Sequence, residues 1–200
     1  MSIYAALVNL LGQANHLKML PRTGWLFAGV AHPESVADHS YATALLVLCL
    51  GEAINQSWAE ESLAAPLDLG YAVKIALIHD LAEAKLTDLP KRATDLIGQE
   101  VKHQAEEDGM KEILAGLLNE DDMVQLWQEY CHAASPEARL VKDADKLEMI
   151  YQASRYERQG FTELSDFFIA RQWSYRASER LFRQICLPRQ DAPNTDEEVI

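Results

Sequence analysis

One short segment concentrates groups that can hold a cation or move a proton. The run IALIHDLAEAKLTD carries His79 and Asp80 side by side at the end of a strongly apolar stretch, then Glu83, then Asp88. An imidazole and a carboxylate buried beside aliphatic residues cost free energy unless they are paired or bound to a cation. On a helix, Glu83 follows His79 by four residues and Asp80 by three, so all three can address one point in space. Neutral imidazole with carboxylate oxygens suits Mn²⁺, Fe²⁺, Co²⁺ or Zn²⁺ better than Ca²⁺. An isolated His-Asp pair is most often structural, but two further clusters argue against that here. ESVADHS presents Asp38 and His39, and VKDADKLEMI presents Asp143 and Asp145. Both lie among apolar helical positions, so His39 and one of the two aspartates can face the same interior as His79 and Asp80.

Helical spacing dominates the elements that must position these groups. Ile3, Leu7, Leu10 and Leu11 mark one face of a first helix ending near Lys18, before Pro21 and Gly24. A second runs from Pro33 to about Gln56, with Val36, Ala44, Val47 and Leu48 as apolar positions. Asp68 is placed to cap a third, LGYAVKIALIHDLAEAK, which is apolar nearly all round and belongs at the centre of a bundle. A loop, LTDLPKRATD, follows, because Pro90 opposes helix continuation. Residues 99–118 predict a charged helix with Val101, Met110, Ile113, Leu114 and Leu117 inward, and 120–132 a shorter one carrying Trp127. Ser135 with Pro136 opens a helix through Arg158, Gly160 ends it, and Asp166 to about Cys186 supplies the last. No alternating run of β-branched residues calls for a sheet. The expectation is a single all-α domain over 1–187, its metal-site core at about 33–158, followed by an acidic, flexible tail at 188–200.

Composition narrows the function. With 18 Lys and Arg against 31 Asp and Glu, the 200-residue chain carries a formal charge of −13. Such a surface repels phosphate backbones and anionic lipid, which excludes nucleic-acid polymers and membrane surfaces as partners. A small phosphorylated ligand remains open if a few cations gather locally, since salt screens charges beyond about 8–10 Å. Cys49, Cys131 and Cys186 form neither a CxxC pair nor a disulfide framework, and the N-terminus lacks the pattern of a signal peptide. A cytoplasmic protein is expected. His103 and Glu106 read as a solvated face, His132 as a helix-end residue, and Trp127, Trp173 and Tyr175 as packing. His16 and His32 match no ligand spacing. No Gly-rich phosphate loop, nucleophile elbow or Cys-His pair is present.

The order His39, His79-Asp80, Asp145 resembles the H…HD…D signature of the HD-domain metal-dependent phosphohydrolases. PRTGW at 21–25, PESVADHS at 33–40, HDLAEAKLTDLP at 79–90 and LVKDADKLEMIYQASRYE at 140–157 are similar to one subfamily, the 5′-deoxynucleotidases and their eukaryotic HD-domain relatives. The resemblance extends from about Leu17 to the final helix. It implies a helical bundle of the HD type, holding a divalent ion (Mn, Co, Mg, Fe or Zn) through His39, His79, Asp80 and Asp145. Of the two acidic candidates, Asp145 fits the family pattern, leaving Asp143 as a solvated or supporting carboxylate. Glu83 would orient or deprotonate the attacking water, and Asp88 would assist at the leaving oxygen or bind a second ion. Trp25 would pack near the sugar and favour deoxyribose.

Bacterial members can carry Arg immediately before this Trp, where the present chain has Gly24. The phosphate-positioning role therefore passes to Arg22, in the PRTGW form of the eukaryote-like branch. Lys91 or Arg92, after Asp88, would offset remaining phosphate charge. The implied activity is hydrolysis of (deoxy)nucleoside 5′-monophosphates, by a homodimer. An HD-type hydrolase of another small phosphorylated substrate, and a non-catalytic, metal-stabilised binding or regulatory protein, are the alternatives.

Overall fold

Side-chain caps at three serine and aspartate positions set where the principal helices begin. Ser35 and Asp38 form a reciprocal capping box that opens α3 (Val36–Asn55), Asp68 accepts from the Tyr71 amide at the start of α4 (Leu69–Ile78), and Ser135 accepts from the Ala138 amide to open α9 (Pro136–Glu157). These three helices pack on one another and form the centre of the bundle. The computed structural model describes residues 2–169 and 172–187. The acidic tail expected at 188–200 lies outside the described residues. Among those residues every regular element is a helix, apart from an isolated bridge between Pro21 and Ser35.

Three apolar clusters divide the interior. The largest joins α3, α4 and α9 through Val47, Ile54, Ile75, Leu140 and Leu147. A second brings α1 (Ile3–Leu17) and α7 (Gln99–Leu114) against Ile78, Leu81 and Trp127, the last from α8 (Glu120–His132). A third packs Trp25 of α2 (Thr23–Phe27) against Ala153 and Tyr156 of α9. The face of α1 differs from expectation. Ala6 and Leu17 are buried, while Leu7 and Leu11 are exposed. Apolar residues surround this helix, so its period fits two faces, and the small Ala6 side chain allows the closer approach. Likewise Met110, Ile113 and Leu114 of α7 face inward as expected but Val101 is 61% exposed, because it belongs to the first turn, beyond the packed part of the helix.

The predicted central helix over 69–85 is two pieces. Helix α4 ends at Ile78, residues 79–82 form a tight turn, and α5 covers Glu83–Leu86. The amides of Leu81, Glu83, Ala84 and Lys85 reach back three residues rather than four, to Ile78, Asp80, Leu81 and Ala82. Three residues per turn eclipses positions i and i+3, which sets Asp80 and Glu83 on one side by a tighter geometry than the α-helix invoked from sequence. The expected loop at 86–95 is also interrupted, since α6 (Lys91–Ile97) starts directly after Pro90. Pro90 breaks the previous helix and, with its fixed φ, pre-organises the next.

The last helix starts ten residues later than predicted: Ser165–Phe168 is a 3₁₀ turn and α10 is Arg176–Cys186. Its cap is not local. The Asp143 carboxylate accepts from the Ser174 and Tyr175 amides at 3.0 and 3.2 Å, and Glu61 accepts from those of Arg176 and Ala177 at 2.6 and 3.0 Å. Asp143 is therefore neither solvated nor part of the metal cluster's support; it is a buried tie between α9 and α10.

Candidate metal centre and phosphohydrolase site

The seam between the first two clusters falls at Ala76–Ile78, and His79 emerges there. Its Nδ1–H donates to the Ala76 carbonyl at 2.7 Å, which turns Nε2 inward. His39, at the end of the first turn of α3, is held the same way by a different partner: Nδ1–H donates to Glu148 Oε2 at 2.5 Å. Nδ1 donates in that bond, so it keeps a proton and Nε2 is the ring atom turned to the cluster and open to a cation. Both Nε2 atoms are buried and make no hydrogen bond.

The carboxylates close around those two nitrogens. Asp145 Oδ1 lies 3.3 Å from His39 Nε2, and Asp80 Oδ2 lies 3.6 Å from His39 Nε2 and 3.2 Å from His79 Nε2. Ligand atoms of His39, His79 and Asp145 fall within 4.8 Å of one another. The other oxygen of Asp145 accepts from the Tyr130 hydroxyl at 3.0 Å and from Lys146 Nζ at 2.9 Å.

Electrostatics favour positive charge at this point. Burial and Arg22 pull the His39 pKa down, but the facing carboxylates of Asp145, Glu148 and Asp80 carry it up to about 9. Burial opposes ionisation of Asp80 and Asp145 as well, yet His79, Arg22 and His39 hold Asp80, and Lys146 and His39 hold Asp145, well below the usual carboxylate range. A pocket that raises an imidazole's affinity for a proton with three carboxylates attracts any cation of suitable size. Two orphaned nitrogens facing two ionised carboxylates fit a divalent ion of the borderline transition series.

Glu83 is buried beside this cluster with Oε2 unbonded, and burial together with the Asp80 charge pushes its carboxyl well above the ordinary value. A carboxyl so placed holds its proton more tightly than an exposed one, which suits a group that takes up a proton during a reaction. Arg22 Nη1 donates to Asp80 Oδ2 at 3.2 Å, between cluster and solvent. Asp88 follows Thr87, whose φ of 71° and ψ of 165° are strained for a β-branched residue. The strain delivers the Asp88 carboxylate to the Thr23 amide, 2.5 Å away, so Asp88 anchors the start of α2 and with it Arg22.

The remaining expected contacts lie further out. Trp25 is 1% exposed, stacked on Phe167 at 4.2 Å and donating from Nε1 to Glu34 at 3.0 Å. Lys91 is brought nowhere near the cluster; it is 85% exposed and paired with Asp95. Arg92 rests its guanidinium 4.8 Å above the Phe27 ring, on the outer side of α2. His103 stacks on Trp127, and Glu106 pairs with Lys102.

Sequence reasoning passed over several groups here. Glu148 lies three residues after Asp145 on α9, a visible helical spacing. Tyr130 and Lys102 reach the site from α8 and α7 without any local signal. Glu34 joins the Trp25 indole to the Glu148–His39 pair, and burial together with the Glu148 charge raises it to about 7.

A family model for the HD domain matches residues 14–184. The chain belongs to the HD-domain family. The 5′-deoxynucleotidase HDDC2 of Danio rerio is 36% identical over 180 residues, covering 87% of this chain and 80% of the relative. The protein of the same name from Dictyostelium discoideum is 42% identical over 147 residues, 72% of this chain and 73% of the relative. Among solved structures, a Pyrococcus horikoshii OT3 protein superposes with a TM-score of 0.76 at 34% identity, covering 89% of this chain and 97% of its own.

Proposed function

We propose that this HD-domain protein is a metal-dependent phosphomonoesterase that hydrolyses (deoxy)nucleoside 5′-monophosphates to nucleoside and phosphate. The observation that carries the reading is the pair of unbonded imidazole nitrogens facing Asp80 and Asp145, with the orphaned Glu83 carboxyl alongside. Two curated relatives with the name 5′-deoxynucleotidase support the substrate class. His39, His79, Asp80 and Asp145 would hold the ion, which is Mn, Co, Mg, Fe or Zn. When bound, it supplies positive charge that polarises the phosphoryl group and acidifies water.

The chain's own residues do the rest. Glu83 accepts a proton from the attacking water. Arg22 releases part of its hold on Asp80 to meet phosphate oxygens, and Asp88 keeps Arg22 in register through Thr23 while assisting at the leaving oxygen. Trp25 shapes the sugar side through Glu34 and the packing around it.

The test is phosphate release from matched deoxy- and ribonucleotide panels after stripping with chelator and reloading with each ion. Metal-dependent hydrolysis favouring the deoxy substrates is expected, and silence across the panel with metal bound would sink the reading. No helix among the described residues is long and apolar enough to cross a membrane. A reducing, cytoplasmic setting suits the free thiols of Cys49, Cys131 and Cys186. A homodimer is favoured by unpartnered apolar positions Tyr4, Val8 and Leu11 on α1 and Tyr41, Leu45 and Leu48 on α3. Val8→Glu with Leu45→Glu should halve the mass in light scattering; an unchanged dimer mass would clear these faces of the role.

A further inference from the structure

Neither Lys91 nor Arg92 is placed to balance a phosphate dianion at the cluster, and most of the cations that are so placed already have carboxylate partners. Arg22 is on Asp80 at 3.2 Å, Lys102 on Glu106 at 2.6 Å and Lys146 on Asp145 at 2.9 Å. Lys142 differs. It lies one turn before Asp145 on α9, half-buried, and among the described residues no carboxylate stands within ion-pair distance of its Nζ. In a chain with 31 acidic residues against 18 basic ones, that is an uncommon state for a partly desolvated ammonium.

Lys142 Nζ rests instead 4.1 Å above the Tyr130 ring. That ring meets His79 edge-on with centroids 5.2 Å apart, and its hydroxyl is bonded to Asp145. The ammonium therefore waits one aromatic ring away from the metal cluster. Burial draws its pKa below the ordinary lysine value despite the nearby charges of Asp145 and Asp80, both of which bear on it. A π-face holds a cation weakly compared with a charged oxygen acceptor, and the four-carbon stem lets Nζ swing without disturbing α9.

We propose that Lys142 is a substrate-binding residue whose ammonium leaves the Tyr130 ring to contact the substrate's phosphate group. The proposal rests on the phosphomonoester reading for its substrate, but its probe, inorganic phosphate, does not require turnover. The same contact would hold the phosphate product after hydrolysis, and its release would return Nζ to the ring.

The experiment compares wild type, Lys142→Met, Lys142→Gln and Lys142→Arg as metal-loaded full-length protein. It reads orthophosphate binding by calorimetry, KM and kcat on a deoxynucleoside monophosphate, bound metal and Tm. Both neutral variants should weaken orthophosphate binding and raise KM by about tenfold or more, with metal content retained, and Lys142→Arg should recover most of the loss. Orthophosphate affinity within about twofold of wild type in a folded, metal-loaded neutral variant would overturn the assignment and leave Lys142 as packing on Tyr130. Wild-type protein that binds orthophosphate yet hydrolyses no nucleotide would instead count against the nucleotidase reading, with the Lys142 comparison still decisive.

Discussion

Glu83 and Glu148 show how the same side-chain type takes different work from its surroundings. Glu83 has an unbonded oxygen, and burial with the neighbouring Asp80 charge disfavours its ionisation. Replacing it with Gln keeps the shape and removes the proposed base. We expect Glu83→Gln to retain its metal and lose about 10²–10⁴-fold in kcat, as checked by elemental analysis beside phosphate release. Turnover at the wild-type rate would remove Glu83 from the chemistry. Glu148 touches no substrate; it fixes which nitrogen of His39 carries the proton. Glu148→Ala should therefore weaken metal affinity by about 10- to 100-fold in a chelator competition. Unaltered affinity would mean that α3 packing alone orients the ring.

The element that matters most is the tightened turn after Ile78, and it marks the limit of what the sequence discloses. The caps at Asp68 and Ser135 are legible because each is a local bargain between a side chain and an amide three residues away, and the span of α8 follows from its helical spacing; the Ser35 cap moves the expected start of α3 from Pro33 to Val36. The spacing of His79, Asp80 and Glu83 is legible too. The switch to three residues per turn is not, because it accompanies contacts of the His79 ring with His39 of α3 and Tyr130 of α8 that no local pattern announces. Helix α10 was misplaced for the same reason: Asp143 and Glu61, 31 and 115 residues before the amides they cap, do what a local serine does elsewhere. Asp143→Ala should cost about 0.5–2 kcal/mol in denaturant unfolding while leaving metal content unchanged. Loss of metal in that variant would tie Asp143 to the centre after all.

At the scale of the whole molecule, the cluster lies where separate interiors meet. His39 comes from α3 in the first apolar cluster, His79 from the seam of the first and second, and Asp145 from α9, which continues into the third. An ion held by these residues binds the folded chain and not the unfolded one, so each decade of free ion above the dissociation constant should add about 1.4 kcal/mol to stability. A series of metal buffers read by differential scanning calorimetry should give Tm rising with the logarithm of free ion, and a flat response would place the ion outside the folding unit. The position of the cluster then has a bearing on survival as well as on catalysis. Starved of metal, the chain opens more often and offers more cleavable backbone to proteases. Its abundance in a cell would follow the metal supply, so that scarcity removes the enzyme rather than leaving an inactive population behind.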